Sequence, residues 1–339
     1  MKTITMELGE RSYDIHVERG SLSSADKYFN LNRKVLVLTD SGVPSEYAKT
    51  VASLAKDALI VTVDEGEGSK SYETLGRVLQ RMLEFGMTRT DCAVAVGGGV
   101  VGDLCGFAAS VYMRGIDFYN IPTTVLSQVD SSIGGKCAIN FEGVKNIVGA
   151  FHQPRGVLID PDTLNTLPKR QISNGLAEAV KMSLTSDAEL FSIFEREGVN
   201  DSNIENIIIR SLMIKKRVVE EDERESGLRK ILNFGHTFAH AVEADEHLHG
   251  LYHGECVAIG MCVVLGEKIR DRALAVLDSL ELPTSYGGDI ARACDFISHD
   301  KKCDGEKISI VYVDEIGSFR IEKLTVEDFI ETVKEYYKK

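Results

Sequence analysis

Short apolar segments alternate with amphipathic ones in the first half of the chain, and this rhythm constrains the fold more than any other feature. Residues 34–39, 58–63 and 92–96 are rich in Val, Ala, Leu and Ile, as strands buried on both faces of a parallel sheet are. Amphipathic stretches at 46–56 and 72–85 separate them. This order predicts a Rossmann-like doubly wound sheet that binds its ligands at the carboxyl ends of the strands.

Shorter predicted strands begin and end the same half. Residues 3–8 and 13–17 alternate polar and apolar side chains around residues 9–11, which predicts a β-hairpin. Residues 157–160 (VLID) predict the last strand of this half, just before Pro161. We therefore expect an α/β domain over residues 1–168.

The periodicity becomes helical from about residue 172 onward. The predicted helices are 175–184, 188–195, 204–219, 231–244 and 253–270. Only residues 307–313 and 318–324, on either side of Gly317, have the pattern of strands. The fold class is thus α/β plus α, with a mainly helical domain over residues 169–339.

Composition excludes several classes of function. A formal charge of −13 works against nucleic-acid binding, which depends on Lys and Arg neutralising phosphates. Seven scattered cysteines without a CxxC pair argue against a disulfide framework and against a thiolate zinc site. No apolar run approaches the ~18 residues of a membrane span, and the N-terminus does not resemble a signal peptide. We expect a cytoplasmic protein without a nucleic-acid or membrane partner.

A glycine-rich turn follows the predicted strand at 92–96. Residues 97–103 (GGGVVGD) contain GxGxxG between a predicted strand and a predicted helix, which suits a pyrophosphate at a helix N-terminus. The turn follows a later strand than in the usual fingerprint, and no acidic residue ends a strand ~20 residues on. Asp40, at the end of LVLTD, could contact a ribose hydroxyl instead. The alternative is a tight helix–sheet contact without a ligand.

Two histidines and one carboxylate have the pattern of a metal site. His236 and His240 are four residues apart on a predicted helix, so both rings project from one face. His253 precedes an apolar helix, and Glu178 lies within a small, apolar stretch where a carboxylate must be paired, solvated or metal-bound. Two His and one carboxylate with an open fourth position is a catalytic zinc arrangement.

Spacing alone leaves the ligand set open. The HxxxH pattern lacks the Glu of HExxH, so a metalloprotease is not supported. His247 and His249 are also nearby, although their polar surroundings favour a solvated loop.

Positive side chains recur at glycine-rich or apolar positions of this acidic chain. Each alone is typical of a solvated surface charge, but grouped around a metal they would bind a substrate with a carboxylate and a phosphate. They are Arg114, Lys136, Lys145, Lys181, Lys215, Arg229, Lys301 and Lys302.

Taken together, these motifs resemble the 3-dehydroquinate synthase family from about residue 40 to residue 317. The matching segments are GGGVVGDLCGFAAS, YMRGI, IPTTVLSQVDSSIGGKCAIN, GLAEAVK, DERESGLRKILNFGHTFAHAVE and HGECVAIGM. The resemblance implies an NAD-binding N-terminal domain, a helical C-terminal domain and a cytoplasmic homodimer of the shikimate pathway, which leads to aromatic amino acids.

The resemblance also assigns residues to roles. The metal, zinc by preference with cobalt as an alternative, would be held by Glu178, His236 and His253. NAD would contact Asp40, Glu67, Lys70, Gly98, Gly99, Asp103, Thr123, Thr124, Lys136, Lys145, Thr163 and Thr166. The substrate phosphate would meet Lys136, Asn146, Asn233, His240 and one of Lys301 and Lys302. Lys215 and Arg229 would bind the substrate carboxylate, and Arg114 would reach the site of a partner subunit. Catalytic roles would fall to Asp130, Lys181, Glu225 and His240.

The implied reaction converts 3-deoxy-D-arabino-heptulosonate 7-phosphate to 3-dehydroquinate and phosphate. It runs through transient oxidation by NAD, phosphate elimination, re-reduction and an intramolecular aldol closure. The rivals are a metal-dependent polyol or glycerol-phosphate dehydrogenase, another sugar-phosphate cyclase, and a metal- or nucleotide-binding regulator. Lys215 and Arg229 favour the synthase, because substrates of the rival enzymes lack the carboxylate that this pair would bind.

Overall fold

The chain divides into a sheet-based unit, Met1–Pro168, and a mainly helical unit, Lys169–Lys339. The computed structural model describes residues 1–225, 227–246, 250–300 and 307–338, and for residues 298–300 it describes the backbone alone. The predicted α/β plus α class is confirmed.

Seven strands form the main sheet of the first unit, in the order β1-β2-β9-β6-β5-β3-β4. Their bounds are β1 Lys2–Met6, β2 Tyr13–Val17, β3 Lys34–Asp40, β4 Asp57–Val63, β5 Cys92–Gly97, β6 Asp117–Pro122 and β9 Gly156–Ile159. Strands β1 and β2 pair antiparallel, and the other neighbours are parallel. The carboxyl ends of β3, β5 and β6 therefore meet at one edge, where a doubly wound sheet binds ligands.

Strand side chains alternate between two apolar layers. Leu36 and Leu38 pack on the side of helices α2 (Tyr72–Glu84) and α3 (Gly99–Val111). Val35 and Val37 pack on the opposite side, with α1 (Ser45–Ser53). Both layers are removed from water, so apolar burial on two faces stabilises the sheet.

Two strand predictions in this unit need correction. Strand β4 is not buried on both faces, because it is the edge of the sheet and only Val63 within it is buried. Strand β6 was missed, since Asp117, Asn120 and Pro122 interrupt its apolar pattern. A separate hairpin of β7 (Lys136–Phe141) and β8 (Val144–Phe151) was also missed, because neither strand is a continuous apolar run.

Helices dominate the second unit. They are α4 Lys169–Ser186, α5 Ala188–Arg196, α6 Ile204–Glu221, α7 His236–Asp245, α8 His253–Val263, α9 Glu267–Ser279, α10 Ile290–Asp300 and α11 Val326–Lys338. Strands β10 (Lys307–Tyr312) and β11 (Arg320–Thr325) form an antiparallel pair, close to the strands predicted on either side of Gly317.

Two predicted helices are each divided. The helix predicted over 231–244 is a 3₁₀ turn followed by α7, because Gly235 adopts a φ of 80° between them. The helix predicted over 253–270 is α8 and α9, since Leu265 pairs with Val313 and Gly266 donates to the Val313 carbonyl. Helices α10 and α11 were not predicted from the sequence.

The structure describes the burial of six cysteines and the length of each helix. The six described cysteines are all buried, and burial raises the pKa of Cys262 to about 12, so that thiol stays protonated at neutral pH. Within the described ranges, no helix is both long and apolar enough to cross a bilayer.

Candidate active site

The glycine turn lies where β5 ends and α3 begins. Gly98 is the N-cap residue of α3, and it has no side chain that could bond to the N–H groups of the first turn. A Cβ on Gly98 would lie 3.0 Å from Thr124 Cγ2, and one on Gly99 would lie 3.0 Å from Ser131 Oγ. A helix N-terminus with backbone N–H groups and little room for side chains fits an anion such as a pyrophosphate.

Residues after β6 form one wall of this turn. The Thr123 N–H donates to the Gly97 carbonyl at 3.0 Å, and Thr124 Oγ1 accepts from the Ser127 N–H at 3.2 Å. The buried Ser131 hydroxyl has no hydrogen-bond partner among the described residues. Sequence reasoning missed Ser131, because only the fold brings it to Gly99.

Asp40 ends β3, the strand beside β5. Its Oδ1 accepts from the Gly42 N–H at 2.9 Å and the Val43 N–H at 3.2 Å, which closes the turn that follows the strand. Burial, assisted by Glu65, raises the pKa of Asp40 above its ordinary value despite these bonds. The structure thus places this carboxylate at the ligand-binding edge of the sheet.

The two threonines assigned to NAD further along the chain already bond within their own segment. Thr163 Oγ1 donates to the Asp160 carbonyl at 2.8 Å, and Thr166 Oγ1 donates to the Thr163 carbonyl at 3.2 Å. Both hydroxyls therefore stabilise the 3₁₀ segment Pro161–Thr166.

Lys70 is the centre of a polar cluster. Its Nζ lies 2.7 Å from Asp103 Oδ2 and 3.4 Å from Glu67 Oε1, and it also donates to Asn146 Oδ1. Burial lowers the pKa of Lys70, but the two carboxylates outweigh burial and raise it above its ordinary value. The structure thus joins three residues assigned to NAD with Asn146, which was assigned to the substrate phosphate.

Asn140 holds this cluster together and was missed from the sequence. Its Nδ2 donates to Glu67 Oε1 at 3.0 Å, and its Oδ1 accepts from the Asn146 N–H at 2.9 Å. Its own N–H donates to the Lys70 carbonyl at 2.8 Å. No sequence signal marks Asn140, because the missed β7–β8 hairpin brings it here.

Three of the predicted site residues have strained backbone. Arg114, Asn146 and Glu225 have φ values of 70°, 55° and 62°, and Met113 has 49°. Residues with side chains rarely adopt positive φ, and those that do cluster at functional sites. The positive φ values therefore support functional roles at these positions.

The remaining predicted residues of the first unit lie beside Ser131 or on the β7–β8 hairpin. Asp130 belongs to a single π-helical turn, Ser127–Ser131, and such turns are frequent at functional sites. Lys136 is exposed at the start of β7, and Lys145 is half-buried on β8.

Glu178 on α4, His236 on α7 and His253 on α8 come together in the second unit. Glu178 Oε1 lies 3.5 Å from His236 Nε2 and 3.4 Å from His253 Nε2. One ligand atom from each residue fits within a 4.8 Å group, which suits a single metal ion. Glu178 is 1% exposed, its Oε2 forms an ion pair with the Lys181 ammonium, and its Oε1 faces the two imidazoles.

Burial and neighbouring charges shift the pKa of each residue in this cluster. Burial raises the pKa of Glu178, but the adjacent Lys181 ammonium and both imidazoles outweigh it and hold that pKa well below its ordinary value. Burial, the largest cause, and the Lys181 charge together lower the pKa of His236 to about 3, so this ring is neutral at pH 7. Burial lowers the pKa of His253, yet hydrogen bonds to Glu178 and Glu243 raise it to about 9. A metal would displace that proton.

Glycines bring the ligand-bearing helices close together. A Cβ on Gly260 of α8 would lie 2.0 Å from the Gly235 carbonyl, directly before α7. A Cβ on Gly254 would lie 1.9 Å from the Asn174 carbonyl of α4, and Asn174 Oδ1 accepts from the Gly254 N–H at 2.6 Å. Backbone contact thus brings the helices of Glu178, His236 and His253 together.

His240 and the predicted anion-binding residues of this unit differ in burial. The His240 ring centre lies 5.5 Å from that of His236 and 6.3 Å from that of His253, and the residue is exposed. Lys215 and Arg229 are buried, at 6% and 2% exposure. The Arg229 guanidinium donates to the Glu223 carbonyl within the same unit.

Of the other predicted residues of this unit, Asn233 and Glu225 lie in the segment between α6 and α7. The exposed Asn233 donates through Nδ2 to Glu225 Oε1 at 2.6 Å. Lys301, Lys302, His247 and His249 lie outside the described residues.

Comparison with known proteins assigns both halves of the chain to one family. Residues 60–174 match the 3-dehydroquinate synthase N-terminal family model, and residues 175–303 match the C-terminal model. A 3-dehydroquinate synthase of Streptococcus mutans is 42% identical over 99% of this chain and 99% of its own length.

Two solved structures share the fold over nearly the whole chain. A 2-deoxy-scyllo-inosose synthase complexed with carbaglucose-6-phosphate, NAD⁺ and Co²⁺ has a TM-score of 0.89 and 26% identity, covering 98% of this chain and 100% of its own. A 2-epi-5-epi-valiolone synthase of Streptomyces hygroscopicus with NAD⁺ and Zn²⁺ bound has a TM-score of 0.87 and 29% identity, covering 98% of each chain. Together with the family models, these matches confirm the resemblance seen in the sequence motifs. The chain belongs to the 3-dehydroquinate synthase family.

Proposed function

We propose that the chain converts 3-deoxy-D-arabino-heptulosonate 7-phosphate to 3-dehydroquinate and inorganic phosphate, with NAD and a divalent metal as cofactors. One observation carries the proposal: Glu178, His236 and His253 form a buried ligand set in a chain whose two halves both match the family. Relatives solved with NAD⁺ and with Co²⁺ or Zn²⁺ support the cofactors.

Glu178, His236 and His253 would hold the metal, which we propose to be zinc. These three side chains would supply the protein's ligands and leave the metal accessible to a substrate oxygen. A metal held there supplies Lewis acidity, which polarises a substrate oxygen and lowers its pKa. Lys181, buried against Glu178, keeps the carboxylate ionised and can exchange a proton with a substrate that reaches its ammonium group.

NAD would lie at the glycine turn, with its pyrophosphate on the N–H groups that begin α3. When bound it supplies the hydride acceptor and donor. The chain would hold it through Asp40, Glu67, Lys70, Gly98, Gly99, Asp103, Thr123, Thr124, Lys136, Lys145, Thr163 and Thr166. The Lys70 cluster supports this role, because Lys70 holds the side chain of Asp103 near the N-terminal end of the same helix.

Two separate groups of residues would hold the two anionic ends of the substrate. Lys215 and Arg229 would take the carboxylate, with Arg suited to bidentate contact. Lys136, Asn146, Asn233, His240 and one of Lys301 and Lys302 would surround the phosphate. His240 would also relay protons, while Asp130 and Glu225 would complete the polar pocket.

Arg114 would act across a homodimer, in the site of the partner subunit. The adjacent residues support an interface, because Val111 and Met113 are apolar yet 42% and 41% exposed. The positive φ of Met113 and Arg114 adds strain that a functional contact would explain. Sedimentation of a dimer, with loss of turnover in Arg114→Ala, would support this assignment, and an active monomer would contradict it.

A phosphate-release assay tests the function directly. Purified protein given the heptulosonate phosphate, NAD and Zn²⁺ should release phosphate, while absorbance at ~340 nm stays flat because the hydride returns to the product. Net NADH production on glycerol or another polyol, without phosphate release from the heptulosonate, would instead identify a dehydrogenase.

A further inference from the structure

We propose that Glu243 is a positioning residue for the metal, acting through Nδ1 of His253. The inference rests on the proposed metal site and adds to it a fourth side chain that binds no metal itself. Glu243 lies on α7, whereas the imidazole that it would orient belongs to α8.

The two histidines face Glu178 with the same ring nitrogen. Nε2 of His236 and Nε2 of His253 lie 3.5 and 3.4 Å from Glu178 Oε1. A metal shared with that carboxylate would therefore bind both rings through Nε2. The Nδ1 atom of each ring is left on the side away from the metal.

The groups behind the two rings differ. His236 Nδ1 lies 3.1 Å from the Phe234 carbonyl, a neutral backbone acceptor of its own chain segment. His253 Nδ1 lies 3.7 Å from Glu243 Oε1, a carboxylate whose side chain is 14% exposed. The distance to Glu243 is within range of an ion pair, and a small ring rotation would shorten it to a hydrogen bond.

The position of Glu243 on α7 explains how it reaches this place. It follows His236 by seven residues, or two helical turns, so both side chains project from one face of the helix. The opposite face of α7 packs into the interior through Phe238 and Val242. Helix α7 therefore supplies one ligand itself and supports a second ligand on α8.

A carboxylate behind a metal-bound imidazole has two effects. It fixes the proton on Nδ1, which leaves the Nε2 lone pair for the metal, and its negative charge strengthens that nitrogen as a donor. The Phe234 carbonyl provides the first effect for His236 but carries no net charge. Removal of the Glu243 charge should thus weaken the bond between His253 and the metal and leave the bond between His236 and the metal unaffected.

Zinc affinity of the full-length protein is the measurement that tests this role. Competition with a chromogenic chelator should give a zinc dissociation constant 10- to 100-fold higher for Glu243→Ala than for wild type. Glu243→Gln keeps an acceptor but loses the charge, so its constant should fall between the two. Glu246→Gln makes the same charge change at the residue directly after α7, where Tyr286 donates to the Glu246 carboxylate, and should leave zinc affinity unchanged.

Visible spectra of the Co²⁺-loaded proteins separate ligand positioning from a structural role. The cobalt bands should shift in both Glu243 variants and not in Glu246→Gln, and thermal unfolding of the metal-free proteins shows whether each variant folds. Wild-type zinc affinity and cobalt bands in a folded Glu243→Gln would overturn the inference. An equal loss of affinity in Glu246→Gln would overturn it as well. Wild-type protein that retains no zinc would instead overturn the proposed metal site.

Discussion

The glycine turn of the first unit and the metal cluster of the second are built in opposite ways. The turn offers backbone N–H groups at the start of α3, and it works because Gly98 and Gly99 lack side chains. The cluster offers three side chains, and its carboxylate, Glu178, is almost completely removed from water.

This difference determines how each site can fail. A site made of backbone is damaged by added atoms, whereas a site made of side chains is damaged by removed ones. The cluster also places a carboxylate at a depth where charge is costly, so a bound cation would stabilise it.

Removal of the Glu178 charge should have the largest effect. Glu178→Gln deletes the one anionic ligand, so the protein should lose its zinc and its turnover should fall by roughly 10³-fold, because metal catalysis contributes several kcal/mol. Metal analysis and phosphate release measure both. Glu189→Gln is the matched control, since Glu189 is 85% exposed in the same unit. Full turnover of the Glu178 variant without bound metal would show that the reaction does not need the metal.

Addition of one methyl group should damage the turn. The Cβ of Gly98→Ala would lie 3.0 Å from Thr124 Cγ2, in the approach to the first N–H groups of α3. We expect NAD affinity to fall about tenfold or more, equal to at least ~1.4 kcal/mol. Fluorescence titration with NADH measures it, and unchanged affinity would place the pyrophosphate elsewhere.

Asp187 is a carboxylate paired with an arginine and with backbone N–H groups, whereas Glu178 is paired with Lys181 beside two imidazoles. Its oxygens accept from Arg210 and from the N–H groups of Glu189 and Leu190. Burial raises the pKa of Asp187, but these bonds outweigh burial and lower it below its ordinary value. A depressed pKa gives stability that is present above the unfolded-state pKa of ~3.9 and is lost as pH falls through the folded-state pKa.

Asp187→Asn should therefore cost about 1 kcal/mol at pH 7, since Asn still caps α5 but loses the ion pair. The difference from wild type should shrink as pH falls below ~4. Urea unfolding at pH 7, 5 and 3 measures this. A difference that stays constant over this range would show that the charge of Asp187 does not contribute.

Substitution of an exposed helical glycine by Ala should stabilise the protein, whereas the same substitution in the turn should damage NAD binding. A Cβ on Gly76 in α2 meets nothing within 4 Å, and its φ is not in the left-handed region. Gly76→Ala should raise the free energy of unfolding by about 0.5–1 kcal/mol and leave NAD affinity unchanged. A loss of NAD affinity in this variant would show that glycine substitutions in this unit act globally.

Local patterns predicted much of both sites. The strand before the turn and the spacing of His236 and His240 are visible in the sequence, because each depends on neighbours within one element. Gly98 and Glu178 were predicted for the same reason, one by a glycine pattern and one by an isolated carboxylate among small residues.

Contacts between distant segments could not be predicted in this way. Ser131 meets Gly99, and Asn140 joins Glu67 to Asn146, only through a strand and a hairpin whose composition does not indicate them. The sequence does not distinguish Glu243 from other acidic residues on helices, because only the packing of α8 against α7 brings His253 beside it. The division of α8 from α9 likewise depends on Val313, far along the chain.

Titration of both ligands into both site variants tests the central contrast most directly. Calorimetry with NAD and with Zn²⁺ should give a crossed pattern relative to wild type. Gly98→Ala should bind zinc normally and NAD about tenfold or more weakly, whereas Glu178→Gln should bind NAD normally and lose zinc. Loss of zinc in Gly98→Ala, or retention of tight zinc binding in Glu178→Gln, would contradict the account of one backbone site and one side-chain site.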